Sequence, residues 1–188
     1  MELDKAIKSC KDVKKFNDKK PDWRDIIEAI DKARYASMAG NNYSLKFIII
    51  DDKEKIQKLA ECCQQQFISQ AHYIVIVCSD PTRTMNLYKE KGETYCTQQA
   101  GAGIQNFLLK LEEIGLSTYW VRHFTEEQIR RGLRIPNNII VEAVFPIGYE
   151  TKAKGMKKKN TSKIELDRIL YFNEYGNKKM ENPKMLNV

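Results

Sequence analysis

Histidine is scarce in this sequence and cysteine is unpaired, and each shortage excludes chemistry. Only His72 and His123 occur in 188 residues, so a histidine-rich metal centre is not expected. The five cysteines (Cys10, Cys62, Cys63, Cys78 and Cys96) are odd in number and never spaced as CxxC. That argues for reduced thiols in a cytoplasmic protein, and against a disulfide framework or a zinc site. No apolar run is long enough for a transmembrane helix, and "MELDKAIKSC" lacks the apolar centre of a signal peptide. A G-x-G-x-x-G after a strand, a Walker A loop and a G-x-S-x-G elbow are all missing, which removes three common enzyme readings. A Ser–His–Asp arrangement through His123 has nothing to orient it. His72, just ahead of an apolar strand, reads as a packed and hydrogen-bonded histidine. Paired aromatic strands of the RNA-binding kind are absent too.

The chain does have enough apolar residues, 42%, for one compact domain with a core. Its 32 basic and 25 acidic side chains give +7 and a pI near 9.1. That balance favours anionic partners: nucleic acid, anionic membrane or a phosphorylated cofactor. Helical period predicts a short helix over 3–10 and a second one opened by Pro21 and Asp22, with Ile26, Ile27, Ile30 and Ala33 on one face. "KFIIIDD" and "HYIVIVCSD" read as strands buried on both faces, separated by the helix of "KEKIQKLAECCQQQ". In "TQQAGAGIQNFLLKLEEIGL" an apolar stripe through Ile104, Phe107, Leu108, Leu111 and Ile114 predicts a helix capped at Gly115. Gly101 and Gly103 inside it each cost about 1 kcal/mol against alanine. A frayed start, a close helix or a flat ligand would each account for them. "STYWVRHF" and "IIVEAVFPIGY" read as strands, the latter central. Capping boxes are expected at Thr125–Gln128, opening a short helix, and at Ser162–Glu165, opening a closing helix. Interleaved helices and strands without a linker predict a single layered α/β or α+β domain.

The candidate site residues lie in scattered motifs. "CKDVKKF" clusters Lys11, Lys14 and Lys15 around Asp12 and ends on Phe16. "ASMAGNNYSLKF" sits between helix and strand. "QFISQA" precedes the second strand, the small-residue helix runs into "GLSTYW", and a lysine-rich loop precedes "SKIELDRILYFNEYG". In this order the motifs resemble the FMN-dependent nitroreductase family over about residues 2–176, with 177–188 as a polar tail. "CKDVKKF" stands for its R-R-S-x-R-x-F, and "ASMAGNNYSLKF" for its P-S-x-x-N-x-Q-P-W.

The resemblance implies an α+β fold with a mainly antiparallel sheet flanked by helices, a homodimer, and FMN at the interface. NADH or NADPH would be the reductant, and a nitroaromatic, quinone or similar electrophile the acceptor; neither nucleic acid nor membrane is an implied partner. By carry-over, Lys11 and Lys14 meet the FMN phosphate and ribityl chain, joined by Lys159 or Lys163. Asn41 meets the pyrimidine edge from the partner subunit, with Ser37 and Met38 along the ring and Gln65 as a further polar contact. Cys10 and Asp12 stand where the family usually has Arg and Ser, and Asp12 is expected to pair with Lys11 or Lys14. Arg122 and His123 replace a common Gly-Gly near the reactive edge, which favours an anionic or polar substrate. No catalytic residue is implied, although His123 is the nearest candidate proton donor. Two alternatives stay open: a flavin-binding or sensing protein without turnover, and a basic nucleic-acid-binding domain.

Overall fold

The computed structural model describes residues 2–151 and 164–180. The chain divides into two compact units, Met1–Thr151 and Lys152–Val188. The first runs α1 (Leu3–Ser9), α2 (Trp23–Ala33), β1 (Leu45–Ile50), α3 (Lys53–Cys62), β2 (Tyr73–Ser79), α4 (Thr82–Tyr88), α5 (Lys91–Glu113), β3 (Ser117–Thr118), α6 (Glu126–Leu133) and β4 (Ile140–Gly148). The strands form one sheet of order β1-β2-β4-β3 with every neighbour antiparallel, which is the α+β class expected.

Burial explains the layering. All seven residues of β2 are buried, and alternate side chains leave opposite faces. Tyr73, Val75 and Val77 join Ile26 and Ala29 of α2 and Ile104 and Phe107 of α5. Ile74, Ile76 and Cys78 join Ile56 and Leu59 of α3 and Ile129 of α6. Each such large side chain contributes about 1.5–3 kcal/mol by leaving water, so helices on both faces hold the sheet.

Several expectations are corrected. β1 is an edge strand, and Phe47, Ile48 and Ile49 are only half-buried rather than covered on both faces. In α2, Ile27 stays exposed while Ala29 takes its place in the core. Helix α4 was not anticipated, and α5 starts two turns earlier than its stripe suggested. Thr125 makes no side-chain cap; instead the Glu126 carboxylate accepts from the Val141 N–H at 3.1 Å and pairs with Arg130. Gly115, at φ +81°, does end α5: its N–H bonds the Glu112 carbonyl while that of Leu116 bonds Leu111. Gly103 is explained by packing, because a Cβ there would lie 2.6 Å from Leu45 Cδ1 and 3.4 Å from the Ala33 carbonyl.

In the second unit, Ser162 lies outside the described residues and Glu165 precedes only a single 3₁₀ turn, Leu166–Arg168, where a closing helix was expected. A Phe172 N–H to Asn177 carbonyl bond of 2.9 Å and a Tyr171–Tyr175 contact at 4.6 Å organise the rest of that unit.

The register of β2 against β4 slips between Val77 and Cys78, leaving Glu142 as the extra residue of a bulge. Its carboxylate accepts from the Ser79 hydroxyl at 2.5 Å. Burial, opposed by that bond and reinforced by Glu126 and Glu93, raises the Glu142 pKa above its ordinary 4.5. The folded state therefore binds this proton more tightly than the unfolded one, so the contribution is favourable at low pH and is lost as pH rises through the folded value. Replacing Glu142 with Gln should flatten that part of the pH–stability curve and raise the melting temperature at neutral pH. Thermal melts from about pH 4 to 8 check it; parallel curves for the two proteins would exclude Glu142 as the source.

Candidate functional site

Residues 10–17 form a strap along the edge of the sheet beyond β3. The Val13 N–H donates to the Thr118 carbonyl at 2.8 Å, and Asp12 pairs in parallel with Thr118. Farther on, the Asn17 N–H bonds the Tyr149 carbonyl and the Thr151 N–H bonds the Lys15 carbonyl. Val13 and Phe16 point inward with Ala71 and Phe67, and Lys11, Asp12, Lys14 and Lys15 are left exposed. Hydrophobic anchoring of two positions thus displays the polar ones between them.

Among the described residues Asp12 pairs with no lysine, contrary to expectation. Its carboxylate accepts from the Trp120 N–H at 3.3 Å and ties the strap to the chain leaving β3. Lys11 turns to Glu150 instead, with contacts of 2.5 and 2.7 Å. The Lys14 ammonium lies 4.8 Å from the Tyr119 ring centroid and 5.5 Å from that of Phe67, rings that themselves meet edge-on. Among the described residues no carboxylate pairs with Lys14. An exposed cation held over two rings and left without an anion suits a phosphate oxygen. Cys10 is half-buried, and its thiol pKa is raised by burial first and by Glu112 and Asp12 after that, so it stays neutral. Gln65 sits half-buried ahead of the turn that carries Phe67. Arg122 and His123 are exposed where the chain leaves the sheet, the Arg122 guanidinium 4.0 Å from the Trp120 ring centroid.

Ser37, Met38 and Asn41 lie elsewhere. They occupy the loop that feeds β1, at the opposite edge of the sheet. Gly40 and Asn41 take left-handed conformations, and Gly40 packs under Tyr88 and Leu87 of α4. Downstream, Gln99 of α5 fixes the loop by accepting from the Ser44 N–H at 2.8 Å and its hydroxyl at 2.6 Å. Four strand steps at ~4.8 Å each separate this edge from the strap, roughly 19 Å. One chain therefore brings Cys10, Lys11, Asp12, Lys14 and Arg122 to one edge and Ser37, Met38 and Asn41 to the other. Buried polar atoms lacking a hydrogen-bond partner among the described residues fall beside both groups: Trp120 Nε1 at the strap, and Asn42 Nδ2 and Tyr43 OH at the loop. An unpartnered buried polar atom calls for an explanation, and a bound ligand or a second chain is one that fits. Lys159 and Lys163 lie outside the described residues.

Phe67 and Tyr119, the rings beneath Lys14, were not singled out from sequence, although both stand in the quoted motifs "QFISQA" and "GLSTYW". Their aromatic character within those motifs was the available signal.

The sequence profile of the Nitroreductase family matches residues 7–70 and 60–149. A protein of Archaeoglobus fulgidus, provisionally named as an NADH dehydrogenase/NAD(P)H nitroreductase, is 27% identical over 155 residues, covering 80% of this chain and 86% of its own. In fold, a nitroreductase family protein of Clostridium difficile 630 superposes with a TM-score of 0.80 at 23% identity, over 93% of this chain and 99% of that one. An FMN-dependent nitroreductase of Clostridium difficile R20291 gives 0.74 at 19% identity, over 90% and 98%.

Proposed function

Since the chain belongs to the nitroreductase family, we propose that it is a flavin-dependent oxidoreductase working as a homodimer, with FMN held between the strap of one protomer and the β1 loop of its partner. The observation that carries this reading is Lys14: an exposed cation, seated on Phe67 and Tyr119, with no carboxylate beside it among the described residues. Lys14 meets the phosphate, and Lys11 joins it by exchanging Glu150 for the ligand. Asp12 fixes the strap through Trp120, while Cys10 contributes a neutral thiol. Ser37, Met38 and Asn41 of the partner copy line the ring, and Gln65 adds a polar contact. Arg122 and His123 border the opening.

FMN held there would supply two-electron chemistry between NADH or NADPH and a nitroaromatic, quinone or similar acceptor. The protein's own share is positioning and charge. Lysines neutralise the phosphate, the loop orients the ring, and His123 is the nearest candidate proton donor for the product. No helix among the described residues is long and apolar enough to cross a membrane; we place the enzyme in the cytoplasm on its free thiols.

Reconstitution with FMN, followed by NADH or NADPH oxidation with and without a quinone, tests the proposal. Acceptor-dependent turnover is expected; flavin bound without turnover would leave only a binding protein. Asp12 provides a finer check. Asp12→Asn keeps the acceptor for the Trp120 N–H and removes a negative charge, so FMN affinity should rise about two- to fivefold. Asp12→Ala loses the bond as well, costing about 1 kcal/mol of stability. Equal FMN affinity in all three proteins, measured by fluorescence titration, would contradict this placement of Asp12.

A further inference from the structure

Several arginines are already spent on local ion pairs. Arg24, Arg34, Arg130 and Arg131 each pair with an acid close by in sequence. Arg122 has no acidic partner among the described residues and lies on the Trp120 ring at 4.0 Å. Stacking occupies the faces of a guanidinium and leaves its in-plane N–H groups free, in the geometry that accepts a carboxylate on two bonds. The platform beneath is fixed. Trp120 packs on Phe145 with ring centroids 5.8 Å apart, and its backbone N–H is held by Asp12. Little side-chain freedom is left to lose when an anion arrives.

Arg122 also serves a different anion from Lys14. Neighbouring residues on an extended chain point to opposite faces. Tyr119 packs with the α3 and α6 side of the core and carries Lys14, whereas Trp120 packs with the α2 and α5 side and carries Arg122. A phosphate at Lys14 therefore leaves the Arg122 donors unspent.

We propose that Arg122, preordered on Trp120, is a specificity residue that selects small-molecule acceptors carrying a carboxylate, and this rests on the flavoenzyme reading above. The same donors could grip a phosphate of the reductant, and the experiment separates the two sources.

KM values are measured for 4-nitrobenzoate and for its neutral amide in the unaltered protein, Arg122→Gln and Arg122→Lys. The carboxylate is expected to be preferred about fivefold, the upper range for an exposed ion pair. The preference should vanish in Arg122→Gln and be partly kept in Arg122→Lys, which retains charge but not the planar fork. An unchanged preference in Arg122→Gln, or a change confined to the KM for NADH or NADPH, overturns the proposal. A second readout needs no flavin. In a Trp23→Phe background the remaining fluorescence is that of Trp120, and benzoate should change it saturably while benzamide does not. Loss of that response in Arg122→Gln supports the anion role even if no flavin binds. Absence of any benzoate response in protein that binds flavin and turns over overturns it while leaving the flavoenzyme reading intact.

Discussion

Replacing Lys14 with Glu should weaken FMN binding about 100-fold, roughly 2.8 kcal/mol, the largest effect of any single substitution at the strap. Hydrogen bonds to charged groups contribute about 1.5–3 kcal/mol, and a carboxylate at this position adds repulsion to the loss. The rings of Phe67 and Tyr119 at 5.5 and 4.8 Å hold the ammonium in place, so little ordering cost offsets the bond. Lys11→Ala should have a smaller effect, because Lys11 already has Glu150 at 2.5 Å and must give up that partner to reach an anion. Lys15→Glu serves as the control. Its carbonyl is bonded to the Thr151 N–H, its side chain is exposed, and it has neither ring beneath it. Fluorescence titration of the three variants should rank them Lys14, Lys11, Lys15. Equal losses would show that general positive charge, rather than the seated cation, attracts the cofactor.

Gly92→Ala should destabilise the protein by about 1–3 kcal/mol, the range for overpacking a filled site, and lower its melting temperature by about 2–12 °C. Gly92 is buried in the first turn of α5, where a Cβ would lie 2.5 Å from Met85 Cα and 2.6 Å from Met85 N. Those atoms are the backbone of α4 and cannot rotate aside. The strain would be transmitted to the loop bearing Asn41, because Tyr88 of α4 packs over Gly40 and edge-on against Tyr95 of α5 at 5.1 Å. Gly101→Ala is the opposite case. Its Cβ would enter open space, so the substitution should gain up to about 1 kcal/mol of helix propensity. If Gly92→Ala melts with the unaltered protein, α4 is not seated as described.

The core elements were legible because their signals are local. β2 is a continuous apolar run, β4 is one interrupted only by Glu142, and α5 carries a stripe that survives tertiary packing. Helix α4 was hidden because "TRTMNLY" has little amphipathic pattern; its place is set by Gly92 and Tyr95, and Asp80 caps its start by accepting from the Thr82 N–H at 3.1 Å. The edge status of β1 depends on strand order, which apolar content does not encode. The strap shows the same division. Its lysines and Phe16 are plain in the sequence, but the pairing of Asp12 with a residue 108 positions away is not. Charge arithmetic suggested a lysine partner for Asp12. The fold instead used the carboxylate for a backbone N–H of the chain leaving β3, which would otherwise face water or stay unbonded. Lys14 was legible as a cation, but its seat on two rings from separate loops appears only once the sheet is assembled.

A site shared by two copies is the claim on which the functional reading turns, and subunit mixing tests it most directly. Lys14→Glu and Asn41→Ala proteins are prepared separately, each binding FMN poorly, then unfolded together, refolded and titrated with FMN. In a mixed dimer one interface carries both defects and the other carries none. Random pairing should therefore restore tight binding at about a quarter of all sites. If the strap and the β1 loop of a single chain served the same flavin, every site would keep one defect and mixing would restore nothing.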